Sequence, residues 1–85
     1  MNQTLSEVLE LREYAEERLT AHMAGVNAAE GEDRKRRFNE HLIRYIDELN
    51  AKCKEINGGD YDGRYKSLYA LINEYQHKFM SRYRL

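Results

Sequence analysis

The sequence contains no proline and no tryptophan, and glycine occurs only five times among 85 residues. Proline breaks helices and glycine weakens them, so the scarcity of both leaves long helices uninterrupted. Good helix formers such as alanine, leucine, glutamate and arginine are plentiful instead. The composition therefore predicts an all-α fold in one domain, because a chain of this length buries only a thin core.

Cysteine occurs once, and long apolar runs are missing. Cys53 alone cannot form an internal disulfide, and its place beside an apolar stripe predicts a small core residue in a reducing compartment. No segment approaches the roughly 20 apolar residues that span a bilayer, and Met1-Asn2-Gln3 does not open a signal peptide. We therefore expect a soluble, cytoplasmic protein that makes no membrane contact.

Neither sign of charge is in large excess, since the formal net charge is −1. The distribution is uneven, because residues 1–33 hold eight acids and two bases, a balance of −6. Residues 64–85 hold five bases and one acid, a balance of +4. A generally polybasic protein is excluded, and opposite charges on neighbouring helices of a bundle are the simplest interpretation.

The apolar residues from Phe38 to Ile56 predict the helix around which the chain is organised. Phe38, Leu42, Tyr45, Leu49 and Ile56 recur at spacings of four, three, four and seven, which puts them on one helix face. We expect this stripe to pack on a similar one in the C-terminal segment. The C-terminal stripe consists of Tyr65, Leu68, Tyr69, Ile72, Tyr75, Phe79 and Tyr83.

Three helices are predicted, at about 5–24, about 28–57 and about 62–84. Asn57-Gly58-Gly59 indicates a short turn, so the second and third helices should form a long antiparallel hairpin. The first helix packs across this hairpin or is exchanged between the protomers of a dimer. The expected fold is a three-helix bundle in a single domain that spans residues 1–85.

The ends of the first helix carry local signals. Thr4 and Glu7 match a capping box, which predicts a helix start at Leu5, and Gly25 is a natural stop.

The start of the second helix has two interpretations. It lies near Ala28, or it follows Gly31 and the first helix runs on to Glu30. We favour the start near Ala28, because a start at Glu32 would bring the bases of residues 34–37 close to the positive end of the helix dipole.

Several apolar residues lie off the main stripes and would remain uncovered in a simple hairpin. We expect a second copy of the chain or a partner protein to cover them. These residues are Leu11, Tyr14, Ile43, Leu71 and Leu85.

Residues with catalytic or metal-binding chemistry form no complete motif. Glu74 and His77 have the Glu-x-x-His spacing of di-iron helix bundles, but no second copy exists and the pair projects away from its helix's apolar stripe. His22 and His41 stand at the edges of apolar stripes, where an imidazole keeps one nitrogen in water. A metal held by the three histidines is the less favoured interpretation. We predict no enzyme activity, no metal and no cofactor.

Basic residues and tyrosines give the strongest indication of function. Arg34-Lys35-Arg36-Arg37 is a contiguous tract, and five of the seven tyrosines lie between Tyr61 and Tyr83. Bases contact phosphates or acidic protein surfaces, and tyrosine is enriched at interfaces. The simpler alternative is a solvated face neutralised by nearby acids. The predicted partner-binding residues are Arg34, Lys35, Arg36, Arg37, Tyr61, Arg64, Lys78, Arg82 and Tyr83.

In its size, helical composition and lack of catalytic motifs, the chain resembles the small accessory proteins of phages, plasmids and secretion systems. That resemblance of type implies binding to a larger host protein, which is inhibited or escorted. We predict a non-enzymatic interaction module that docks on an acidic patch of a larger protein. The alternative is a small nucleic-acid-associated regulator that contacts phosphates through the same bases. A homodimer with no other ligand is a third hypothesis.

Overall fold

Three helices make up the fold, and the computed structural model describes residues 3–57 and 66–83. Helix α1 spans Gln3–Asn27, α2 spans Glu32–Asn57 and α3 spans Lys66–Tyr83. Within those two ranges no residue is in a β-strand. The prediction of an all-α protein is confirmed. In the described part of the chain no helix combines the length and the apolar character that crossing a bilayer requires.

Helices α1 and α2 run antiparallel, because contacts early in α1 go to late positions in α2. Lys52 lies 3.3 Å from a carboxylate oxygen of Glu10, whereas Arg18, two turns further along α1, pairs with Glu48 at 2.9 Å. These ion pairs join the helices along one side of a bundle about three times longer than wide, with extents of 48 × 18 × 18 Å.

Contacts between aromatic rings show how α3 is oriented relative to α2. Phe38 near the start of α2 contacts both Phe79 and Tyr83 near the end of α3, with ring centroids 5.1 and 5.3 Å apart. Tyr45, two turns along α2, also contacts Phe79 at 5.6 Å. The two helices therefore lie antiparallel. Residues 58–65, where the hairpin turn and the start of the third helix at 62 were predicted, fall outside the described residues, so the hairpin stays a prediction.

The apolar stripe of α2 lies in the core, as its spacing predicted. Phe38, Tyr45, Leu49 and Cys53 are all buried. Leu42 and Ile56 are partly buried and pack against this core. The remaining large apolar core residues come from the other two helices and are Leu11, Leu19, Val26, Leu68, Leu71, Ile72, Tyr75 and Phe79.

Two residues that were expected to need an outside partner are buried within the single chain. Leu11 is 1% exposed and Leu71 is 4% exposed. The expectation that they remain uncovered is wrong, because each helix contacts both others and so buries a face wider than one stripe. Leu9 of α1 is half exposed. Ile43 is exposed, as predicted.

The preferred start of the second helix near Ala28 is also wrong. Residues 28 and 29 continue the backbone hydrogen bonding of α1, since the Ala28 N–H donates to the Ala24 carbonyl and the Ala29 N–H donates to the Val26 carbonyl. Gly31 then adopts φ +60°, which suits glycine and redirects the chain before α2 starts.

The electrostatic reason for that preference was incomplete. Glu32 and Asp33 occupy the first turn of α2, where carboxylates stabilise the positive end of the dipole. The basic tract begins only after them, and Arg36 pairs with Asp33 at 2.7 Å.

Helix α1 extends beyond both of its predicted ends, since it was expected at about 5–24 and spans Gln3–Asn27. Since α1 includes Gln3, Thr4 lies inside the helix and does not precede it as a capping residue. Gly25 does not stop the helix, which continues to Asn27. Gly25 has a packing role instead, because a Cβ at this position would lie 2.6 Å from Cε1 of His41. The bare backbone of α1 therefore makes room for an imidazole of α2.

Candidate functional site

The basic tract lies on the first turns of α2, at the end of the bundle where α1 finishes. Arg34, Lys35, Arg36 and Arg37 are all exposed. Arg36 is bound to Asp33, but both side chains are about two-thirds exposed to water. Within residues 3–57 and 66–83, neither Lys35 nor Arg37 has a carboxylate partner within ion-pair distance. These two cations are therefore the ones most available to another molecule.

Arg34 is anchored to the turn between α1 and α2. Its Nε donates a hydrogen bond of 3.0 Å to the carbonyl oxygen of Ala29, while its backbone N–H donates to Gly31. The guanidinium is thus held at the bundle end and does not extend freely into solvent. Arg34 therefore stabilises the turn between α1 and α2 in addition to contributing a positive charge.

Tyr83 connects the end of α3 to the same region. Its ring packs on Phe38 and Phe79, and its hydroxyl lies 3.1 Å from the Met23 carbonyl oxygen and 2.9 Å from Oδ1 of Asn27. Tyr83 therefore fastens α3 to α1 and α2, and a partner would meet only the rim of its half-buried ring.

Positive charges on two helices act on the Tyr83 phenol. Burial raises the pKa of the Tyr83 phenol, and the nearby charges of Arg34 and Arg82 oppose that rise. Arg82 precedes Tyr83, whose ring packs on Phe38, so Arg82 lies at the same end of the bundle as the α2 tract. We call this surface the basic end and define it as Arg34, Lys35, Arg36, Arg37 and Arg82.

Lys78 lies one helical turn before Arg82 but is committed to the α1–α3 interface. Its Nζ is 3.2 Å from Oε1 of Glu16 and lies over the Tyr75 ring at 5.1 Å from the centroid. The Tyr75 hydroxyl donates to the same Glu16 oxygen at 2.7 Å. Lys78 therefore helps to join α1 and α3, and it flanks the basic end. Tyr61 and Arg64, the other two predicted partner-binding residues, lie outside the described residues.

A second polar cluster lies inside the α1–α2 interface, and the sequence did not reveal it. His22 is only 4% exposed, so the prediction that it keeps a nitrogen in water is wrong. Its Nε2 lies 2.8 Å from Oε1 of Glu48, and its Nδ1 lies 2.8 Å from Nδ1 of His41. The ring also packs on Tyr45, whose phenol covers it from the core side at a centroid distance of 5.4 Å.

Glu48 holds this cluster together. Arg18 donates two hydrogen bonds to its carboxylate, from Nε at 2.9 Å and from Nη2 at 3.2 Å. Burial alone would raise the pKa of Glu48, but the hydrogen bonds from Arg18 and His22 outweigh it and the pKa is lowered. Glu48 is therefore ionised at neutral pH and accepts from both neighbours.

His41 occupies the outer side of the cluster. Burial lowers its pKa, and the positive charges of His22, Arg44 and Arg37 lower it further, while Glu40 opposes the shift. Its charged form is consequently disfavoured. We call the contact between His22 and His41 the histidine pair.

Sequence reasoning did not predict the histidine pair, because it placed His22 and His41 at the edges of separate stripes and considered a meeting of the histidines only around a metal. A signal was present, since His41 and Glu48 stand seven residues apart on α2 and Arg18 and His22 stand four apart on α1. Each spacing puts both side chains on one helix face. Nothing in the sequence showed that the two faces meet.

The described part of the chain contains no group of side chains that could form a metal site. Among residues 3–57 and 66–83, no set of three or more His, Cys, Asp or Glu side chains could hold a metal ion. His77 is exposed on α3 and takes no part in the histidine pair, and Glu74 pairs with Arg12 at 3.4 Å. Cys53 is 1% exposed, and burial raises the pKa of its thiol, which disfavours the reactive thiolate.

No family model matches the chain, and comparisons with curated proteins and with solved structures find no match either.

Proposed function

We propose that this chain is a small non-enzymatic interaction module that docks on an acidic surface of a larger protein through its basic end. One observation carries the proposal. The exposed tract of α2 and Arg82 of α3 lie around one packed aromatic residue, Tyr83. Cations from two helices then lie at one end of the bundle, where their summed charge would steer the protein toward an acidic partner.

The support beneath the basic end favours docking without rearrangement. Phe38, Phe79 and Tyr83 contact one another with centroid distances of 5.1 to 5.5 Å, and the Tyr83 hydroxyl bonds to α1. The cations stand on helices, so their backbone positions are already ordered. The conformational cost of binding is then limited to the ordering of exposed side chains, which is smaller than the cost of ordering a loop.

The local charge balance favours a protein partner over a nucleic acid. The five cations of the basic end are accompanied by three carboxylates, Glu30, Glu32 and Asp33, so the local excess is five minus three, or two positive charges. A phosphate backbone repels each of those carboxylates, whereas a protein surface can offer both signs. We therefore rank a nucleic-acid-associated regulator second.

Self-association through apolar surface has less support than docking. Leu11 and Leu71, which were expected to be covered by a second copy, are buried within one chain. Ile43 is 62% exposed on α2 and is the position at which a dimer is best tested. We propose that the protein is a monomer in which α2 and α3 of the same chain form the hairpin. Sedimentation equilibrium should then give the mass of a monomer for both wild type and Ile43→Ser.

The docking proposal is tested by charge reversal at the two available cations. Tagged wild-type protein and a Lys35→Glu/Arg37→Glu variant are used to capture proteins from a lysate of the source organism, with and without nuclease. The matched control is Arg44→Glu/Lys54→Glu, which makes the same charge change at exposed positions further along α2. We expect one nuclease-resistant protein to be retained by wild type and control and lost by the Lys35/Arg37 variant.

Two outcomes would overturn the proposal. Equal loss in the control variant would mean that capture follows net charge alone. The second outcome is binding of a duplex DNA oligonucleotide with an affinity that falls steeply as salt rises, lost in the Lys35→Glu/Arg37→Glu variant and kept in the control. That result would favour a nucleic-acid-associated regulator over a module that docks on a protein.

A further inference from the structure

The histidine pair has one arrangement of protons at neutral pH. The ionised Glu48 carboxylate can only accept hydrogen bonds, so Nε2 of His22, at 2.8 Å, must donate to it. A neutral imidazole carries one N–H, and Nδ1 of His22 is therefore left as an acceptor. The facing nitrogen, Nδ1 of His41, lies 2.8 Å away and must be the donor. Each hydrogen bond in the cluster fixes the next one.

One additional proton fits this arrangement. If His22 carries the proton, its Nδ1 becomes a donor and His41 accepts it after moving its own N–H to Nε2. The contact between the two Nδ1 atoms then survives with its direction reversed. A positive His22 also remains beside the Glu48 carboxylate.

A second proton does not fit. With both rings charged, every ring nitrogen carries a hydrogen, and two N–H groups face each other across the 2.8 Å contact. Two positive charges at this separation also repel each other, and His22 is too buried for water to screen them. The rings must move apart.

The room around His41 decides how they move. The ring of His41 lies against Gly25 of α1, where even a Cβ atom would come within 2.6 Å of it, so it cannot shift toward that backbone. Tyr45 blocks His22 on the core side. The remaining direction carries His41 outward, away from α1.

The charged groups around the pair, on balance, also disfavour a charge on His41. From α2, Arg37 and Arg44 disfavour a charge on His41, and Glu40 favours it. From α1, His22 disfavours the charge directly, and Arg18 occupies the Glu48 carboxylate. Burial and this net charge effect lower the pKa of His41, so the second proton binds only below the ordinary pKa of an imidazole.

We propose that the histidine pair is a proton-operated switch between α1 and α2, which stays closed with no proton or one proton added and opens when both rings are charged. This inference is independent of the docking proposal. It concerns the interior of the α1–α2 interface and predicts that acid loosens the bundle at this level.

The sign of the effect on stability follows from linkage. The unfolded chain binds a proton at His41 with a pKa near 6.5, whereas the folded chain binds it at a lower pH. Between those two values the unfolded state holds more protons, so the stability of the fold decreases as pH falls. The contribution is complete above about pH 6.5 and is lost as pH falls to the folded pKa of His41.

The first measurement reads the proton positions directly in the wild-type protein. Nitrogen-15 NMR of the imidazoles near pH 8 should show His22 protonated at Nε2 and His41 protonated at Nδ1. Exposed His77 serves as the internal reference. Titration should then give two separate proton-binding steps for the pair, with the second below the ordinary imidazole pKa of about 6.5. A His41 ring protonated at Nε2 near pH 8, or a single step coincident with His77, would overturn the proposal.

The second measurement follows the urea midpoint from about pH 7.5 to about pH 5. The urea midpoints of wild type and His77→Gln should fall by the same amount on acidification. His41→Gln removes the second titrating ring, so its midpoint should fall at most about half as far over the same range.

Gly25→Ala supplies a variant that leaves every titratable group in place. The added methyl group should displace His41 from α1, and so flatten the pH dependence while changing no charge. If His41→Gln and Gly25→Ala both lose midpoint as steeply as wild type, the histidine pair does not set the response. The NMR titration needs no variant, so it decides the question even if a substituted chain does not fold.

Discussion

The hydroxyl of Tyr45 donates a hydrogen bond of 2.7 Å to the carbonyl oxygen of Ala15, deep in the α1–α2 interface. Both residues are at most 1% exposed. Tyrosine at a core position is well suited here because its ring fills the space between three helices while its hydroxyl reaches a backbone acceptor. Burial also raises the pKa of Tyr45 above its ordinary value, so the hydroxyl keeps its proton.

Removing that hydroxyl should weaken the protein by the value of one buried hydrogen bond. Tyr45→Phe keeps the ring and loses the donor, and we expect it to cost roughly 0.5–1.5 kcal/mol of unfolding free energy. Urea denaturation at neutral pH, followed by circular dichroism, measures the change. The control is Tyr14→Phe, because Tyr14 is half-buried and has no hydrogen bond from its hydroxyl within the described residues. Equal losses in the two variants would contradict the prediction.

Leu49 lies at the centre of the α2 stripe and is fully buried. Leu49→Ala removes three carbon atoms from a core that cannot close fully around the gap, so we expect a loss of roughly 2–5 kcal/mol. A domain of this size has little stability in reserve, and the variant should be largely unfolded at room temperature. Ile43→Ala, on the exposed face of the same helix, should be nearly neutral in the same measurement. A loss below about 1 kcal/mol at Leu49 would be inconsistent with a packed site.

The spacing of apolar residues was sufficient to predict which face of α2 is buried. Phe38, Tyr45 and Leu49 repeat with the period of a helix, and that period does not depend on what the helix packs against. The same argument was too narrow for the other helices. Leu11 and Leu71 fall off a single stripe and are buried, because α1 and α3 each bury two faces in a three-helix bundle.

The histidine pair shows a limit of a different kind. Its formation depends on the register between α1 and α2, and a periodic pattern in one helix contains no information about register in another. His22 opposes His41 only because the two helices pair in the alignment that also brings Arg18 to Glu48. The basic end was partly predictable, since four of its five cations are adjacent in sequence. Arg82 was also among the predicted partner-binding residues, but only the fold showed that it lies at the same end of the bundle as the tract.

Glu48 should make the protein sensitive to stronger acid than the histidine pair does. Its folded pKa lies below its unfolded value of 4.5, so its ionised carboxylate contributes stability that is complete above that pH. The contribution is lost as pH falls through the folded pKa, because the unfolded chain is protonated first. We therefore expect Glu48→Gln to flatten the fall in melting temperature below about pH 4.5, and to lower the melting temperature at neutral pH.

A matched change on the same helix checks this assignment. Glu55 is 71% exposed in its side chain and, among residues 3–57 and 66–83, pairs only with Lys52, so Glu55→Gln should leave the acid dependence as in wild type. If Glu48→Gln and Glu55→Gln flatten the fall in melting temperature equally, the acid sensitivity is caused by net charge and not by the contact of Glu48 with Arg18 and His22.

Cys53 gives a test of the core that requires no substitution. The thiol is buried beside the α2 stripe, and burial raises its pKa, so both access and thiolate formation are restricted in the folded protein. We expect a thiol reagent such as DTNB to react slowly at neutral pH and at once in strong denaturant. Leu49→Ala should raise the native reaction rate toward the denatured rate, because labelling then follows the population of open molecules. Ile43→Ala should react as slowly as wild type. Rapid, complete labelling of the native wild-type chain would mean that the α2 stripe is not buried in solution.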